Sequence, residues 1–251
     1  EEHAFACGEL SGAVVLLSPG SIGVLPDAHP QNLHVAGSKG SMSGNYGMEH
    51  AELLIVAGSR AVCQSDCSGI GYPKVRQVIN INADLSDAAH YNRTLMLPGD
   101  IGRVIDRLVE ALSHRRPQAA GEWIATCGER KARWREIVAQ AVGCPPLHDR
   151  VWNRPVLVQP TALQLVIGKA RQAGMTCVFD AGDVQANGFQ LACDDEPMQT
   201  ITESGASFMG FAVSSLVASG IADKPERVVG ITGDGSFMMN QIGRASCRER
   251  V

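Results

Sequence analysis

Six short runs of apolar, β-branched residues recur along the 251-residue chain, at 13–17, 53–57, 77–82, 175–179, 199–202 and 228–232. Several are apolar throughout instead of alternating, which marks strands covered on both faces, as in the middle of a parallel sheet. Between them lie helical patterns at 101–112, 121–142, 160–173 and 206–219. In the first of these, Ile101, Ile105, Leu108, Val109 and Leu112 recur at helical spacing and share one side. Pro98-Gly99-Asp100 ahead of it supplies a break and then an N-cap carboxylate. Strands alternating with helices predict α/β units joined by right-handed crossovers. Two such groups are expected, at 1–115 and 156–241, with a helix and linker at 116–155. Within the latter, the run Gly128-Glu-Arg-Lys-Ala-Arg-Trp-Arg135 reads as a solvated helix face, and the prolines of 144–155 as an extended linker. The fold class expected is α/β: two parallel-sheet three-layer domains, both incomplete.

Composition narrows the function classes. Hydrophobic residues make up 45% and charged residues 19%, so the chain buries a core. Few aromatics (5%) with 27 glycines suit tight strand-to-helix turns. A formal charge of -4 argues against sequence-independent nucleic-acid binding, which needs a basic face. No apolar run approaches the roughly 20 residues that span a bilayer. Of the eight cysteines only Cys63 and Cys67 are close, and a zinc site needs a second pair of ligands. They read as structural or surface thiols, fitting a reducing cytoplasm. His29, His34 and His50 have no paired acid or nucleophile nearby in sequence and read as turn or surface residues more than catalytic ones.

Both ends look unnatural. The chain begins at Glu1 without Met, within a helix-like stretch, and Ile242-Gly-Arg-Ala-Ser-Cys-Arg-Glu-Arg-Val251 resembles the translated read-through of a short-read sequencing adapter. Residues 242–251 are therefore expected to be foreign to the fold, and the chain to be a fragment.

The stretch that carries chemistry is Val228-Val-Gly-Ile-Thr-Gly-Asp-Gly-Ser-Phe-Met-Met-Asn240. A buried strand ends in Gly233-Asp234-Gly235-Ser236, and a helix start follows. Such a turn places backbone N–H groups at the carboxyl edge of the sheet, which suits a diphosphate. Gly233 and Gly235 permit close backbone approach. Asp234 offers the hard oxygen that Mg²⁺ prefers, and the Ser236 hydroxyl a donor to phosphate. Ordinary βα turns also use Gly and Asp, so the tetrapeptide alone leaves both readings open.

In its context the stretch resembles the cofactor-binding domain of the thiamine-diphosphate-dependent acetolactate synthase/pyruvate decarboxylase superfamily. Upstream, Glu203-Ser-Gly-Ala-Ser-Phe-Met-Gly-Phe-Ala212 looks like that family's segment beneath the thiazolium and aminopyrimidine rings. The resemblance implies Met209 as the apolar wedge that bends the cofactor, with a plain core methionine as the alternative, and the Ser207 carbonyl as acceptor for the pyrimidine amino group. Phe179-Asp-Ala-Gly-Asp-Val-Gln185 resembles the strand-end segment at the diphosphate, which implies backbone contacts at Gly182 and Asp183. Leu25-Pro-Asp-Ala-His-Pro30, Gly37-Ser-Lys-Gly40 and residues 51–60 and 78–84 look like the family's central domain. After Gly58, Ser59-Arg-Ala-Val-Cys-Gln64 stands in place of the Arg-Phe-Asp-Asp-Arg stretch of FAD-containing acetolactate synthases, which argues against FAD.

The resemblance implies thiamine diphosphate and Mg²⁺ as cofactors and a carbon–carbon bond cleaved or formed next to a carbonyl, in a 2-oxo acid. It places the catalytic Glu before Glu1 and a second Mg²⁺ ligand, an Asn, beyond the end of the chain, so the fragment itself is expected to be inactive. It also implies a homodimer or homotetramer of the full-length enzyme, acting on a small molecule, without nucleic acid or membrane. A thiamine-dependent hydrolase of a cyclic dione, of the inositol-breakdown type, and a non-enzymatic nucleotide-binding module are the competing readings.

Overall fold

The structure is a computed structural model that describes residues 11–60, 67–89, 93–114, 121–203, 205–224 and 226–240. Residues 242–251, Cys63 and most of the 59–64 stretch lie outside them. In the first unit, strand β1 (Val15–Leu17) pairs in parallel with β2 (Asn32–Val35), and helix α1 (Met42–His50) follows. A second parallel sheet, ordered β3-β4-β5, comprises β3 (Leu53–Ala57), β4 (Gln77–Asn82) and β5 (Thr94–Pro98), with helices α2 (Leu85–Ala88) and α3 (Ile101–Ser113). The expected N-cap holds: the Asp100 carboxylate accepts the Arg103 N–H at 3.0 Å. Leu53, Ile55 and Leu95 of this sheet remain exposed.

Helix α4 (Gly121–Val142) leads to an antiparallel hairpin of β6 (Leu147–Asp149) and β7 (Arg154–Val156). The segment expected to be an extended linker thus folds back on itself. The second unit contains helix α5 (Gln159–Gln172), strand β8 (Thr176–Phe179), helix α6 (Asp183–Leu191), strand β9 (Thr200–Thr202), helix α7 (Phe211–Ile221), strand β10 (Val228–Ile231) and helix α8 (Asp234–Met238). Its three strands run parallel in the order β10-β8-β9. Alternation decides what each face meets. Cys177 and Phe179 of β8, with Val229 and Ile231 of β10, pack on Leu163, Ile167 and Ala170 of α5. On the opposite face, Gly230 lets Leu216 of α7 approach the strand. This is the α/β/α layering the sequence predicts. Burying a side chain such as Phe179 contributes about 1.5–3 kcal/mol.

The two units share a core. Leu17, Ile22 and Val35 from the first pack with Phe189 and Ala192 from the second. Helix α4 braces both. Its Val138 and Val142 pack on the α5 core, while its basic run faces the first unit. That run is not a plain solvated face, contrary to expectation. Lys131 is 4% exposed, and its ammonium donates to the carbonyls of Asp27 and His29. Arg135 donates to the Asp27 carboxylate at 2.9 Å, and Arg130 lies over the Tyr46 ring. Only Arg133 of the four cations keeps to the helix surface, paired with Glu136. His34 is likewise no surface residue: it is buried, holds a left-handed φ of 69°, and sets Nε2 2.6 Å from Asp27 Oδ1.

Burial pushes the Asp27 carboxyl up, but His34, Lys131 and Arg135 outweigh it and hold the group well below the usual carboxylate range. Burial in turn pushes Lys131 down to about 8, against the opposing pull of Asp27. A carboxylate with a depressed folded pKa contributes stability in full above its unfolded value, here 3.8, and loses it as pH falls towards the folded one. Asp27→Asn is therefore expected to lower unfolding stability by about 2–3 kcal/mol at neutral pH. Urea titrations should show the gap from wild type narrowing once pH drops below that unfolded value.

Candidate functional site

Strand order locates a crevice. The chain leaves central strand β8 through α6 towards β9 on one side, and returns as β10 on the other. The turns after β8 and β10 therefore diverge, and open parallel sheets bind ligands where they do. All three segments singled out in the sequence meet at this edge.

One buried carboxylate ties them together. Asp180, fully buried at the end of β8, accepts the N–H groups of Ala181 (2.9 Å) and Gly210 (2.8 Å) through Oδ1. Its Oδ2 accepts the Thr232 hydroxyl at 2.9 Å, beyond the end of β10. These bonds offset the cost of burying the Asp180 side chain.

On one flank of the crevice, Gly233 caps α8, and Asp234 is the first helical residue. Its side chain is exposed at the carboxyl edge of the sheet, with Oδ1 accepting the Gly235 N–H at 2.9 Å. On the other flank, Gly182 caps α6 with φ 105° and ψ −155°, a region that only glycine occupies without strain, and exposed Asp183 follows. A Cβ built on Gly182 or on Gly233 would meet nothing within 4 Å, so both backbones face open space. Ser236 departs from expectation. It is 2% exposed, and its hydroxyl donates to the Ala181 carbonyl at 3.1 Å, locking the α8 turn to the end of β8. Only its backbone N–H is left to serve a ligand. Helix α8 is also only five residues long, so the anchoring power of this turn lies in the Asp234 carboxylate and local N–H groups, and little in a helix dipole.

The third segment crosses the crevice as a loop. The helix expected from 206 begins only at Phe211, because Ser207 and Gly210 hold left-handed φ values of 56° and 92° that no α-helix accommodates. Glu203 Oε1 accepts from Gly205 (2.7 Å) and Ala206 (2.9 Å), and Oε2 from Phe208 (3.2 Å). Slight burial pushes this carboxyl up, but the N–H bonds from Ala206, Gly205, Phe208 and Ser207 outweigh it and leave the pKa lowered. Within the loop, Ser207 takes a left-handed φ of 56°. Met209 is 48% exposed, and its Cε lies 3.4 Å from where a Cβ on Gly235 would stand. The methionine is thus neither a core residue nor remote from the Asp234 turn. Gly210 closes the loop at φ 92°, and Asn240 donates to its carbonyl at 3.0 Å.

The expected site residues Gly182, Asp183, Ser207, Met209, Gly233, Asp234, Gly235 and Ser236 therefore belong to three segments stapled to one another. A hard carboxylate beside open glycine backbones fits a divalent cation shared with a diphosphate, and the exposed Met209 fits an apolar ring system next to it. Sequence reasoning passed over Asp180 and Gln185, and it quoted Glu203 without a role. The one available signal for Asp180 is a charged residue directly after the apolar run 177–179. A second possible metal group, Asp27, His34 and Cys193, has its ligand atoms within 4.8 Å of one another. Arg135 and Lys131 already face Asp27 there, and two cations repel a third.

Asp180→Ala leaves the Gly210 and Ala181 N–H groups buried without acceptors. It is expected to lower stability by about 3 kcal/mol in urea unfolding, with loss of protection at Gly210 in hydrogen exchange.

Comparison with known proteins gives the family. Residues 2–108 match the family model of the thiamine pyrophosphate enzyme central domain, and residues 180–247 that of the thiamine pyrophosphate enzyme C-terminal TPP binding domain. The acetolactate synthase isozyme 1 large subunit of Escherichia coli (strain K12) is 25% identical over 231 residues, covering 91% of this chain and 38% of that protein. Acetolactate synthase 3, chloroplastic, of Brassica napus is 24% identical over 96% of this chain and 35% of its own length. The acetolactate synthase large subunit of Lactococcus lactis is 25% identical over 87% and 36%. The chain spans little more than a third of the length of these relatives. With two domains of one family matched in order, this chain belongs to the thiamine pyrophosphate enzymes, and its second unit is their cofactor-binding domain.

Proposed function

We propose that the chain supplies the Mg²⁺–diphosphate anchor of a thiamine-diphosphate-dependent enzyme that cleaves or forms a carbon–carbon bond next to the carbonyl of a 2-oxo acid. The observation that carries this reading is the exposed Asp234 carboxylate at the β8/β10 crevice, flanked by open backbone at Gly182 and Gly233. Asp234 would ligate Mg²⁺, oriented by the Gly235 N–H it accepts, while the N–H groups of Asp183 and Ser236 would donate to phosphate oxygens. Met209 would support the cofactor rings, and the Ser207 carbonyl would accept from the pyrimidine amino group. When bound, thiamine diphosphate supplies the carbon nucleophile and the electron sink for the reaction. The acetolactate synthase names of the relatives favour this chemistry, as decarboxylation or carboligation, over ring-opening hydrolysis.

Around the crevice, Phe208, Phe237, Met238 and Met239 are exposed. An apolar rim of this kind needs cover, which in the full-length enzyme we assign to further chain and to a second subunit of a homodimer or homotetramer. Among the described residues no helix is long and apolar enough to cross a membrane. The free, buried Cys127 and Cys177 suit a reducing, cytoplasmic setting.

Calorimetry on the chain should show thiamine diphosphate binding that requires Mg²⁺ and weakens at least about tenfold in Asp234→Asn, the loss of one charged ligand. Binding indifferent to EDTA and to that substitution would remove Asp234 from the site. Steady-state assays with pyruvate should find no turnover by this chain alone.

A further inference from the structure

Gln185 lies at the third position of α6 and is fully buried, and its side chain joins three parts of the molecule. Its Oε1 accepts from the Lys39 ammonium of the first unit at 3.0 Å. Its Nε2 donates to Thr202 Oγ1 and to the Glu203 carbonyl, both at 2.8 Å. Thr202 Oγ1 passes its own proton on to the Phe179 carbonyl at 3.2 Å. The result is a directional chain of donors: ammonium to amide oxygen, amide N–H to hydroxyl, hydroxyl to the end of β8. Lysine has only donors, so a flipped amide would set N–H against N–H. Lys39 therefore fixes which end of the Gln185 amide faces Glu203.

The loop at 203–210 is thus held at its far end by Asp180 and Asn240, and at its near end by Gln185. We propose that Gln185 is a positioning residue that sets this loop for the ring half of the cofactor, and that Lys39 orients it from the neighbouring unit. The inference rests on the thiamine diphosphate reading of the site. It separates two ligand halves: the diphosphate meets the turns at Gly182 and Asp234, which the Gln185 side chain does not bond, its backbone N–H alone donating to the Gly182 carbonyl, whereas the rings depend on the loop that side chain holds.

The test is calorimetry with Mg²⁺ and two probes, thiamine diphosphate and inorganic diphosphate. Gln185→Met keeps the volume but removes both N–H donors, leaving the Glu203 carbonyl unpaired and the loop-competent state less populated. Thiamine diphosphate affinity should fall about tenfold, and inorganic diphosphate affinity by less than about twofold. Lys39→Met, at a half-buried position where unfolding is not at issue, should reproduce the selective loss to a smaller degree. Lys39→Arg, which keeps a cationic donor, should return thiamine diphosphate affinity to within about twofold of wild type. Parallel loss of both probes, or no loss of either in both Met variants, overturns the positioning role while leaving the anchor reading intact. A wild-type chain that binds neither probe overturns both.

Discussion

The architecture of the crevice turns on one buried carboxylate. A parallel sheet whose chain departs to opposite sides of a central strand opens at its carboxyl edge, and nothing in the backbone hydrogen bonding of the strands holds that opening to a shape. Asp180 does so with three bonds, to its own turn, to Gly210 at the end of the crossing loop, and to Thr232 at the mouth of the β10 turn. Because a polar side chain is costly to bury unpaired, each bond is needed, and the segments cannot drift independently. Ser236 adds a fourth tie, from the Asp234 turn back to Ala181. The exposed groups offered to a ligand are thereby separated from the buried ones that fix their spacing.

Much of this was legible in the sequence, and for physical reasons. Strand β3 is a continuous apolar run, β4 is rich in β-branched residues, and α4 is a long helix former, so their limits match the expectation residue for residue. Helix α1 was not visible because Gly44 and Gly47 serve close packing: a Cβ at either would strike Val35 or Leu16 and Leu33. Helix α6 hides for a related reason, since a polar residue, Gln185, and a glycine, Gly188, occupy its buried face. The loop at 205–210 carries apolar residues at helical spacing and reads as helix. Left-handed Ser207 and Gly210 break it instead, and the Glu203 carboxylate takes up the freed N–H groups locally, which periodicity does not encode.

The same limit explains the site. Gly233 to Ser236 announces itself as a strand-to-helix turn, but the direction of each side chain follows from packing. Asp234 points outward and Ser236 inward although they stand two residues apart, since the short helix turns one towards solvent and the other beneath the end of β8. The basic run of α4 illustrates a complementary point. Cations that look solvated in sequence find carbonyls, a ring and a carboxylate once the helix lies across the first unit. Through α4 and the shared Leu17–Phe189 core, the cofactor-binding unit is braced by a domain that contributes none of the proposed ligand contacts.

The most direct test is a crystal structure of the chain soaked with thiamine diphosphate and Mn²⁺, using the anomalous signal of the metal. The account predicts a peak at about 2 Å from a carboxylate oxygen of Asp234, with the diphosphate lying between the turns at Gly182 and Gly233. A metal bound elsewhere, or a diphosphate outside the β8/β10 crevice, would contradict it.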